Sequence, residues 1–200
     1  SDVYKRQLLN LVGCASAPPA APTVVSQSGH PSAPRTAESI FRLGPVTDRY
    51  RINTEDRFRC REATPIDASG SWTVTSRDGD CFSNGQLRRT VHLVRLADGS
   101  IAMNRLDDHE HDRAATFDPP LILYPALLAP GAVHTHASDL ASGKLDGSGT
   151  KSGTATCETR FLNDGRLQMA LVLRLSPAVV RRTTQWTLDP SGQILQEDDR

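Results

Sequence analysis

The chain has 200 residues, of which 23 are Lys or Arg and 23 are Asp or Glu, so its formal net charge at pH 7 is zero. This balance excludes the basic field that drives sequence-independent nucleic-acid binding, and the two signs are interspersed rather than clustered. No stretch approaches the roughly 20 apolar residues that a membrane-spanning helix needs. The length allows one well-packed core but is small for two domains.

A short motif near the N-terminus is the first distinctive feature. Leu11-Val12-Gly13-Cys14 has two aliphatic residues, a small residue and a cysteine, and it resembles the bacterial lipobox. The resemblance implies that the Cys14 thiol carries a diacylglycerol, so that Cys14 becomes the first residue of a membrane-anchored protein. Such a signal needs a charged start and about 7–15 apolar residues. Because the apolar run before Cys14 is short, we expect residues 1–7 to stand in place of part of the natural signal.

The segment after Cys14 is rich in Pro, Ala and Ser and predicts an extended linker. Residues 15–22 and 26–34 cannot bury enough apolar area to fold. At about 3.1 Å per residue, roughly 20 residues give a tether of up to about 60 Å. The chain is therefore divided into a signal ending in the lipidated cysteine (1–14), a disordered tether (15–37) and a single β domain (38–200).

The residues just after Cys14 also predict where the protein lies. In the lipoproteins that this motif resembles, Ala and Ser at these positions, in place of Asp, favour export to the outer membrane. We expect a protein of the bacterial cell envelope, anchored to the membrane through lipid, whose domain faces the periplasm or the exterior.

Past the tether, the hydrophobic pattern is that of β-strands. Arg57-Phe58-Arg59-Cys60-Arg61 alternates, with Phe58 and Cys60 on one face and three arginines on the other. A period of two also runs through a predicted core strand, at Leu167, Met169, Leu171, Leu173 and Leu175. The next strand, from Val179 to Leu188, is expected to place Val180, Thr184, Trp186 and Leu188 on one side, with Trp186 filling the core.

Turn residues separate these strands where hairpins need them. Asp98-Gly99, Asp164-Gly165 and Asp189-Pro190-Ser191-Gly192 each lie between two strand-like runs, and such sequences tolerate positive φ. Short connections imply antiparallel neighbours. We predict an all-β fold, an antiparallel meander forming a strongly curved sheet or partly open barrel, with little helix.

Two segments fit this meander less simply. Thr36 to Phe41 has a capping-like start and predicts either a short helix or the start of the first strand. Pro119-Pro120 interrupts the middle of the chain, and because proline cannot donate to a ladder we expect a strand edge and a covering loop there.

Three cysteines remain beyond the lipidation motif, namely Cys60, Cys81 and Cys157. In an exported, oxidising compartment one disulfide is expected, with one thiol left over. The preferred pair is Cys60–Cys81, because these residues are close in sequence and bracket a hairpin-sized excursion. Cys157 would then be a buried free thiol, although three cysteines allow three pairings.

The C-terminal part carries a second resemblance. The run from Phe117 to Pro125, the run from Leu128 to Gly131 and the ending Trp186-Thr187-Leu188-Asp189-Pro190-Ser191-Gly192 resemble envelope proteins with long meandering strands. Some of these are related in shape to the LolA/LolB lipoprotein carriers, in which a half-barrel holds acyl chains under a helical lid. The resemblance implies an apolar ligand or an envelope protein as partner. The chain has no stretch that predicts the lid helices.

Two His-x-His elements give the main chemical alternative. Residues two apart on a strand share a face, so His109 and His111 can project together, as can His134 and His136. If the two segments paired, four imidazoles would converge, and imidazole suits zinc or copper. The competing interpretation is that these are solvated histidines.

No other motif predicts chemistry. Ser148-Gly149-Thr150-Lys151 spells the Ser-x-x-Lys nucleophile pattern but lies in a Gly-rich connection, without companion motifs. The sequence therefore predicts a non-catalytic binding or structural domain, with no nucleic-acid partner and no cofactor, and a periplasmic metal-binding protein as the alternative.

Overall fold

The computed structural model describes residues 33–41, 46–52, 57–66, 70–79 and 85–199, and these residues are almost entirely β-structure. The described elements, in chain order, are β1 (Arg35–Thr36), α1 (Ala37–Phe41), β2 (Val46–Ile52), β3 (Arg57–Pro65), β4 (Ser71–Asp78), β5 (Gln86–Arg95), β6 (Ile101–Asp108), β7 (Arg113–Tyr124), β8 (Leu127–Leu128), β9 (Val133–Gly143), β10 (Lys151–Phe161), β11 (Arg166–Leu175), β12 (Ala178–Leu188) and β13 (Ile194–Asp199).

Eleven of these strands form one closed barrel. Its order is β10-β11-β12-β13-β2-β3-β4-β5-β6-β7-β9, and β9 pairs with β10 to close it. Every neighbouring pair is antiparallel except β13 and β2, which run parallel through Gln196–Arg51 and Glu197–Ile52. The prediction of an all-β antiparallel curved sheet or barrel is confirmed, and the barrel is closed rather than partly open. Closure leaves these strands without unpaired edges.

The Asp-Gly hairpins form as predicted. Gly99 and Gly165 have φ of 89° and 85°, in the left-handed region that favours glycine. In each turn the preceding aspartate also accepts a backbone N–H: Asp98 Oδ1 from Ser100 at 2.8 Å, and Asp164 Oδ1 from Arg166 at 3.1 Å. The two turns connect β5 to β6 and β10 to β11, so local sequence sets both registers.

The N-terminal segment lies across one end of the barrel, here called the α1 end. Ala37 and Ile40 are 0% and 3% exposed, so they belong to the core. The Arg35 guanidinium donates to the Asp189 carbonyl at 3.3 Å, and Glu38 pairs with Arg95 at 3.0 Å. These contacts reach the β12–β13 turn and the end of β5. The opposite end, here called the far end, holds the β6–β7 turn (109–112) and the β9–β10 turn (144–150).

The start of the domain differs from the predicted boundary at residue 38. Arg35 and Thr36 pair with Leu128 and Leu127 in a separate two-stranded sheet, and α1 begins at Ala37. The Ser39 N–H donates to Thr36 Oγ1 at 3.2 Å, which is the helix cap that the sequence suggested. Residues 35–37 therefore belong to the folded domain rather than to the tether, because Arg35 and Thr36 pair with a strand of the domain and Ala37 is buried in its core.

The prolines of β7 lie inside a strand rather than in a covering loop. The ladder from β7 to β9 ends at Asp118, and pairing from β7 to β6 is interrupted between Thr116 and Leu121. Pro119 and Pro120 thus occupy a gap in both ladders, where no N–H is required. The expected interruption is present, but the strand continues past it.

The second half of β7 packs on the inward face of β10. Ala155, Cys157, Thr159 and Phe161 alternate along β10 and are at most 1% exposed. The Thr159 hydroxyl donates to the Leu123 carbonyl at 2.7 Å. This part of the barrel, here called the packed wall, is filled by side chains.

The alternation of β3 is present, and its arginine face points into the barrel. Arg59 and Arg61 line the interior, whereas Phe58 faces outward, with the Arg49 guanidinium 4.4 Å from its ring centroid. On β12 the inward face holds Arg182, Thr184 and Trp186.

Some of the predicted core positions are more exposed in the structure than expected. Val180 is 54% exposed because it lies near the far end, beyond the residues that line the interior. Leu167 and Met169 of β11 are buried as predicted, while Leu171 and Leu173 are only partly buried.

Candidate functional site

The barrel contains a cavity of about 170 Å³, which borders the packed wall at Leu123 and Tyr124 of β7. Its walls are mostly hydrocarbon, from side chains that include Val91, Leu93, Met103, Leu106, Met169 and Leu171. Charged side chains also line it, namely Arg59, Arg61, Arg89, Arg182 and Glu197. An apolar pocket with a few convergent polar groups is the usual form of a small-molecule site.

Glu197 is the centre of the charged part. It is 4% exposed, and its Oε1 lies 2.5 Å from Arg59 Nη1 and 3.8 Å from Arg182 Nη2. Trp186 Nε1 donates to its other oxygen at 2.9 Å. Because a buried carboxylate needs both a cation and hydrogen bonds, these three side chains, from β3 and β12, compensate its burial.

Arg59 connects this group to the rim of the far end. Its Nε donates to Asp78 Oδ1 at 2.9 Å, and Asp78 Oδ2 accepts from Arg88 Nε at 2.7 Å. Burial lowers the pKa of Arg59, but Glu197 and Asp78 raise it more, so the net shift is upward. Arg59 is thereby held as a permanent cation between two carboxylates.

Two tyrosines contribute neutral phenols to the cavity. Burial and then the Glu197 charge raise the pKa of Tyr50 well above its ordinary value. Burial also raises the pKa of Tyr124, and the Arg61 charge lowers it by less. Both phenols therefore stay protonated near neutral pH and can donate a hydrogen bond.

The character of the lining changes along the barrel axis. The inward residues of β3, β4 and β5 lie side by side in rows across the three strands. One row is Arg61–Ser76–Arg89, and the next row toward the α1 end is Ala63–Val74–Val91. The row after that, closer still to the α1 end, contains Trp72 and Leu93. The cavity is therefore charged toward the far end and apolar toward the α1 end, where Ala37 and Ile40 are buried.

The predicted metal residues fall into two separate places. His109 and His111 lie in the β6–β7 turn at the far end, whereas His134 and His136 lie at the start of β9. Ala114, just after the β6–β7 turn, pairs with Gly143 of β9. His134 lies nine residues along β9 from Gly143, toward the α1 end. At about 3.3 Å per residue this is roughly 30 Å. The structure does not bring the four imidazoles together.

Each pair has its own surroundings. His109 Nε2 lies 2.8 Å from Thr90 Oγ1, and His111 Nδ1 lies 3.1 Å from Asp108 Oδ1. The potential ligand atoms of Asp108, Glu110 and His111 lie within 4.8 Å of one another, but two of the three residues are exposed. Glu110 is already paired with Arg88. These contacts account for the cluster without an ion.

His134 and His136 face inward, opposite Thr159 and Cys157 on β10. Their Nε2 atoms are buried and have no hydrogen-bond partner among the described residues. Burial and then the neighbouring His134 lower the pKa of His136. This place offers two imidazoles, and no third ligand atom joins them within 4.8 Å among the described residues.

The cysteines are only partly described. Cys157 is a buried free thiol, as predicted, with its Sγ 3.7 Å from Thr159 Oγ1. Burial outweighs the hydrogen bond with Thr159 and raises the pKa of Cys157 to about 11. Cys60 is buried, but Cys14 and Cys81 lie outside the described residues, so the lipidation and the Cys60–Cys81 pair stay predictions. The described part of the chain holds no helix with the length and apolarity to cross a bilayer.

Sequence reasoning missed the arginines and Glu197 of the cavity. One feature of the sequence could have indicated them: on β12, Arg182 lies on the same face of the strand as Thr184 and Trp186. An arginine on a core face of a strand indicates an interior that is not simply packed, since arginine is rarely buried without a partner.

Comparisons with known proteins give no match from which a function could be argued. No protein-family model, curated protein or solved structure matches it. The resemblances to the lipobox and to the LolA/LolB carriers therefore stay predictions, and function must be argued from the barrel itself.

Proposed function

We propose that this protein is a lipid-anchored protein of the bacterial cell envelope whose barrel binds an apolar ligand without catalysis. The observation that carries the proposal is the cavity of about 170 Å³, with hydrocarbon walls, inside a closed barrel. An apolar cavity of about 150 Å³ is large enough to bind benzene. A single alkyl chain of modest length, entering from the far end toward Leu93 and Met103, fits this space.

The anchor is the second part of the proposal. Lipid at Cys14 and the Pro-rich tether would join the barrel through β1 and α1, which lie at the α1 end. The far end, with Arg89 and Arg182 at 31% and 27% exposure, would then face away from the attachment point.

Binding can be tested with a neutral alkyl probe. We expect decanol to bind the 200-residue chain saturably at one site. Titration calorimetry measures this binding, and so does tryptophan fluorescence, to which Trp186 in the cavity lining contributes. Leu171→Phe places a larger side chain in the cavity and should weaken binding by about tenfold, because it takes up space that the alkyl chain would occupy.

Val172→Phe is the matched control. Val172 is the next residue on β11 and faces the other side of the sheet, so this variant should bind decanol as the unmodified chain does. Equal binding by the Leu171→Phe and Val172→Phe variants, or no saturable binding of any alkyl probe, would show that the cavity is not a ligand site.

The anchor needs a separate measurement. Expressed in a bacterium behind a complete lipoprotein signal, the chain should show by mass spectrometry a diacylated or triacylated cysteine at position 14. The Cys14→Ser variant should lack this mass and leave the membrane fraction. An unmodified N-terminus in the parent chain would rule out the anchor while leaving the binding proposal intact.

A further inference from the structure

The pair formed by His134 and His136 is not used by the apolar cavity, whose described lining includes neither residue. Both side chains face the interior near the α1 end of β9, opposite Thr159 and Cys157 of β10. The Nε2 atoms of both imidazoles are buried and have no hydrogen-bond partner among the described residues. A buried polar atom without a partner is costly, so two of them on one face need a compensating contact.

The neighbouring side chains on β10 do not supply this contact. The Thr159 hydroxyl donates to the Leu123 carbonyl at 2.7 Å, and the Cys157 thiol lies 3.7 Å from the Thr159 hydroxyl. Their polar groups are therefore engaged with each other and with the backbone rather than with the imidazoles. An imidazole that carries its proton on Nδ1 presents the lone pair of Nε2 to a ligand.

The part of β9 that carries the two histidines is accessible. The ladder between β7 and β9 ends at Asp118 and Asp139, so among the described pairings this part of β9 pairs with β10 alone. Both histidines are half-buried rather than fully buried, although their Nε2 atoms are covered. An ion in solution can therefore reach the two rings.

The number of ligand atoms limits which ion fits. In the described chain, no further His, Cys, Asp or Glu ligand atom joins the pair within 4.8 Å. Zn²⁺ in proteins is held by three or four protein ligands. Cu⁺ is stable with two ligands in line, and imidazole nitrogen suits copper. A single charge also costs less to bury than a double one, because the Born cost rises with the square of the charge.

We propose that His134 and His136 bind Cu⁺ through their two Nε2 atoms. Metal–imidazole bonds are about 2 Å long, so an ion in line between two nitrogens needs them about 4 Å apart. Residues two apart on a strand are separated by about 7 Å, and rings that lean toward each other can close that separation. This ion site is independent of the apolar cavity, so each proposal can fail while the other stands.

Copper binding can be measured on the 200-residue chain with Cys14→Ser, which removes the thiol and any lipid at that position. With ascorbate present to keep the copper reduced, we expect this chain to take one Cu⁺ from the coloured complex of bicinchoninate. X-ray absorption of the bound copper should show two nitrogen neighbours and no sulfur. Zn²⁺ in equal amount should not displace the Cu⁺.

Variants locate the ligands. His136→Gln should weaken Cu⁺ binding by at least about a hundredfold, because one of two ligands is lost. His111→Gln is the matched control, since it alters the other His-x-His pair, in which His111 Nδ1 lies 3.1 Å from Asp108 Oδ1. This variant should bind Cu⁺ as the parent chain does. Cys157→Ser should also retain binding, because the proposed ligands are both nitrogen.

The outcomes separate the possibilities. Loss of Cu⁺ binding in His136→Gln, retention in His111→Gln and two nitrogen neighbours together support the proposal. A sulfur neighbour, a loss in Cys157→Ser, or an equal loss in both histidine variants overturns it. Failure of the parent chain to take Cu⁺ also overturns it, and would mean that water satisfies the two nitrogens. Decanol binding tests the apolar proposal separately in every case.

Discussion

The packed wall and the lining of the cavity, here called the cavity wall, differ in how they fill the interior of the barrel: side chains fill it at the first and leave a space at the second. In the packed wall, Thr159 and Phe161 of β10 are 0% exposed, and the inward-facing Thr159 hydroxyl bonds the Leu123 carbonyl. In the cavity wall, Arg59 and Glu197 occupy inward positions and a space of about 170 Å³ remains. Side chains that fill space stabilise a fold through dispersion and burial. An unfilled space offers no such contacts, so the lining of the cavity is where binding is expected.

The largest expected effect comes from emptying the packed wall. Phe161→Ala should lower the free energy of unfolding by about 4 kcal/mol, because it leaves a cavity among side chains that cannot close it. Leu171→Ala borders an existing space, so it should cost about 2 kcal/mol or less. Urea unfolding of both variants checks the contrast, and equal losses would mean that the two walls are packed alike.

The next largest effect on stability comes from removing the charge of the buried Glu197 carboxylate. Glu197→Gln keeps an acceptor for Trp186 Nε1 but removes the charge that faces Arg59 and Arg182, and it should cost about 3 kcal/mol. Glu158→Gln is the control, because Glu158 is 44% exposed and pairs with Arg160 at the surface. That variant should change the free energy of unfolding by less than about 0.5 kcal/mol. A similar small change in Glu197→Gln would show that the interior charges are well solvated.

A smaller effect should depend on pH. Burial raises the pKa of Asp78, but the hydrogen bonds from Arg59 and Arg88 lower it more, so its folded pKa lies below the ordinary value. Stability from this group is present above the unfolded pKa, near 4, and is lost as the pH falls through the lower folded pKa. Because the Asp78 side chain is 30% exposed, solvent screening limits the contribution to about 1 kcal/mol.

Urea unfolding at pH 7 and at pH 3 measures this contribution. The loss of stability on acidification should be smaller in Asp78→Asn than in the parent chain, by the amount that Asp78 contributes. An identical pH dependence in both chains would mean that the bridge from Arg59 to Arg88 is not maintained in solution.

The smallest effect is on reactivity within the packed wall. Since burial raises the pKa of Cys157 to about 11, only a very small fraction of this thiol is ionised at pH 7. N-ethylmaleimide should leave Cys157 unmodified in the native chain and modify it in urea, as read by peptide mass mapping. A cysteine placed by Ser148→Cys in the exposed β9–β10 turn should react at once. Rapid native modification of Cys157 would show that the packed wall opens.

Local sequence predicted the parts of the fold that depend on neighbours in the chain. The Asp98-Gly99 and Asp164-Gly165 turns and the cap at Thr36 each involve groups a few residues apart. Strand periodicity likewise identified Leu167 and Met169 as core residues. The site was less predictable, because alternation shows that Arg59 and Phe58 face opposite ways without showing which face is inside.

The sequence by itself determined an all-β meander, its hairpins and the spacing of its histidines. Only the tertiary structure decided that β9 closes on β10, that β13 runs parallel to β2, and that the two His-x-His pairs lie at opposite ends of the strands. The reason is physical. Closure of a barrel is a long-range pairing that no single strand encodes, and it turns Arg59 and Arg61 of β3, Arg89 of β5 and Arg182 of β12 toward one shared interior.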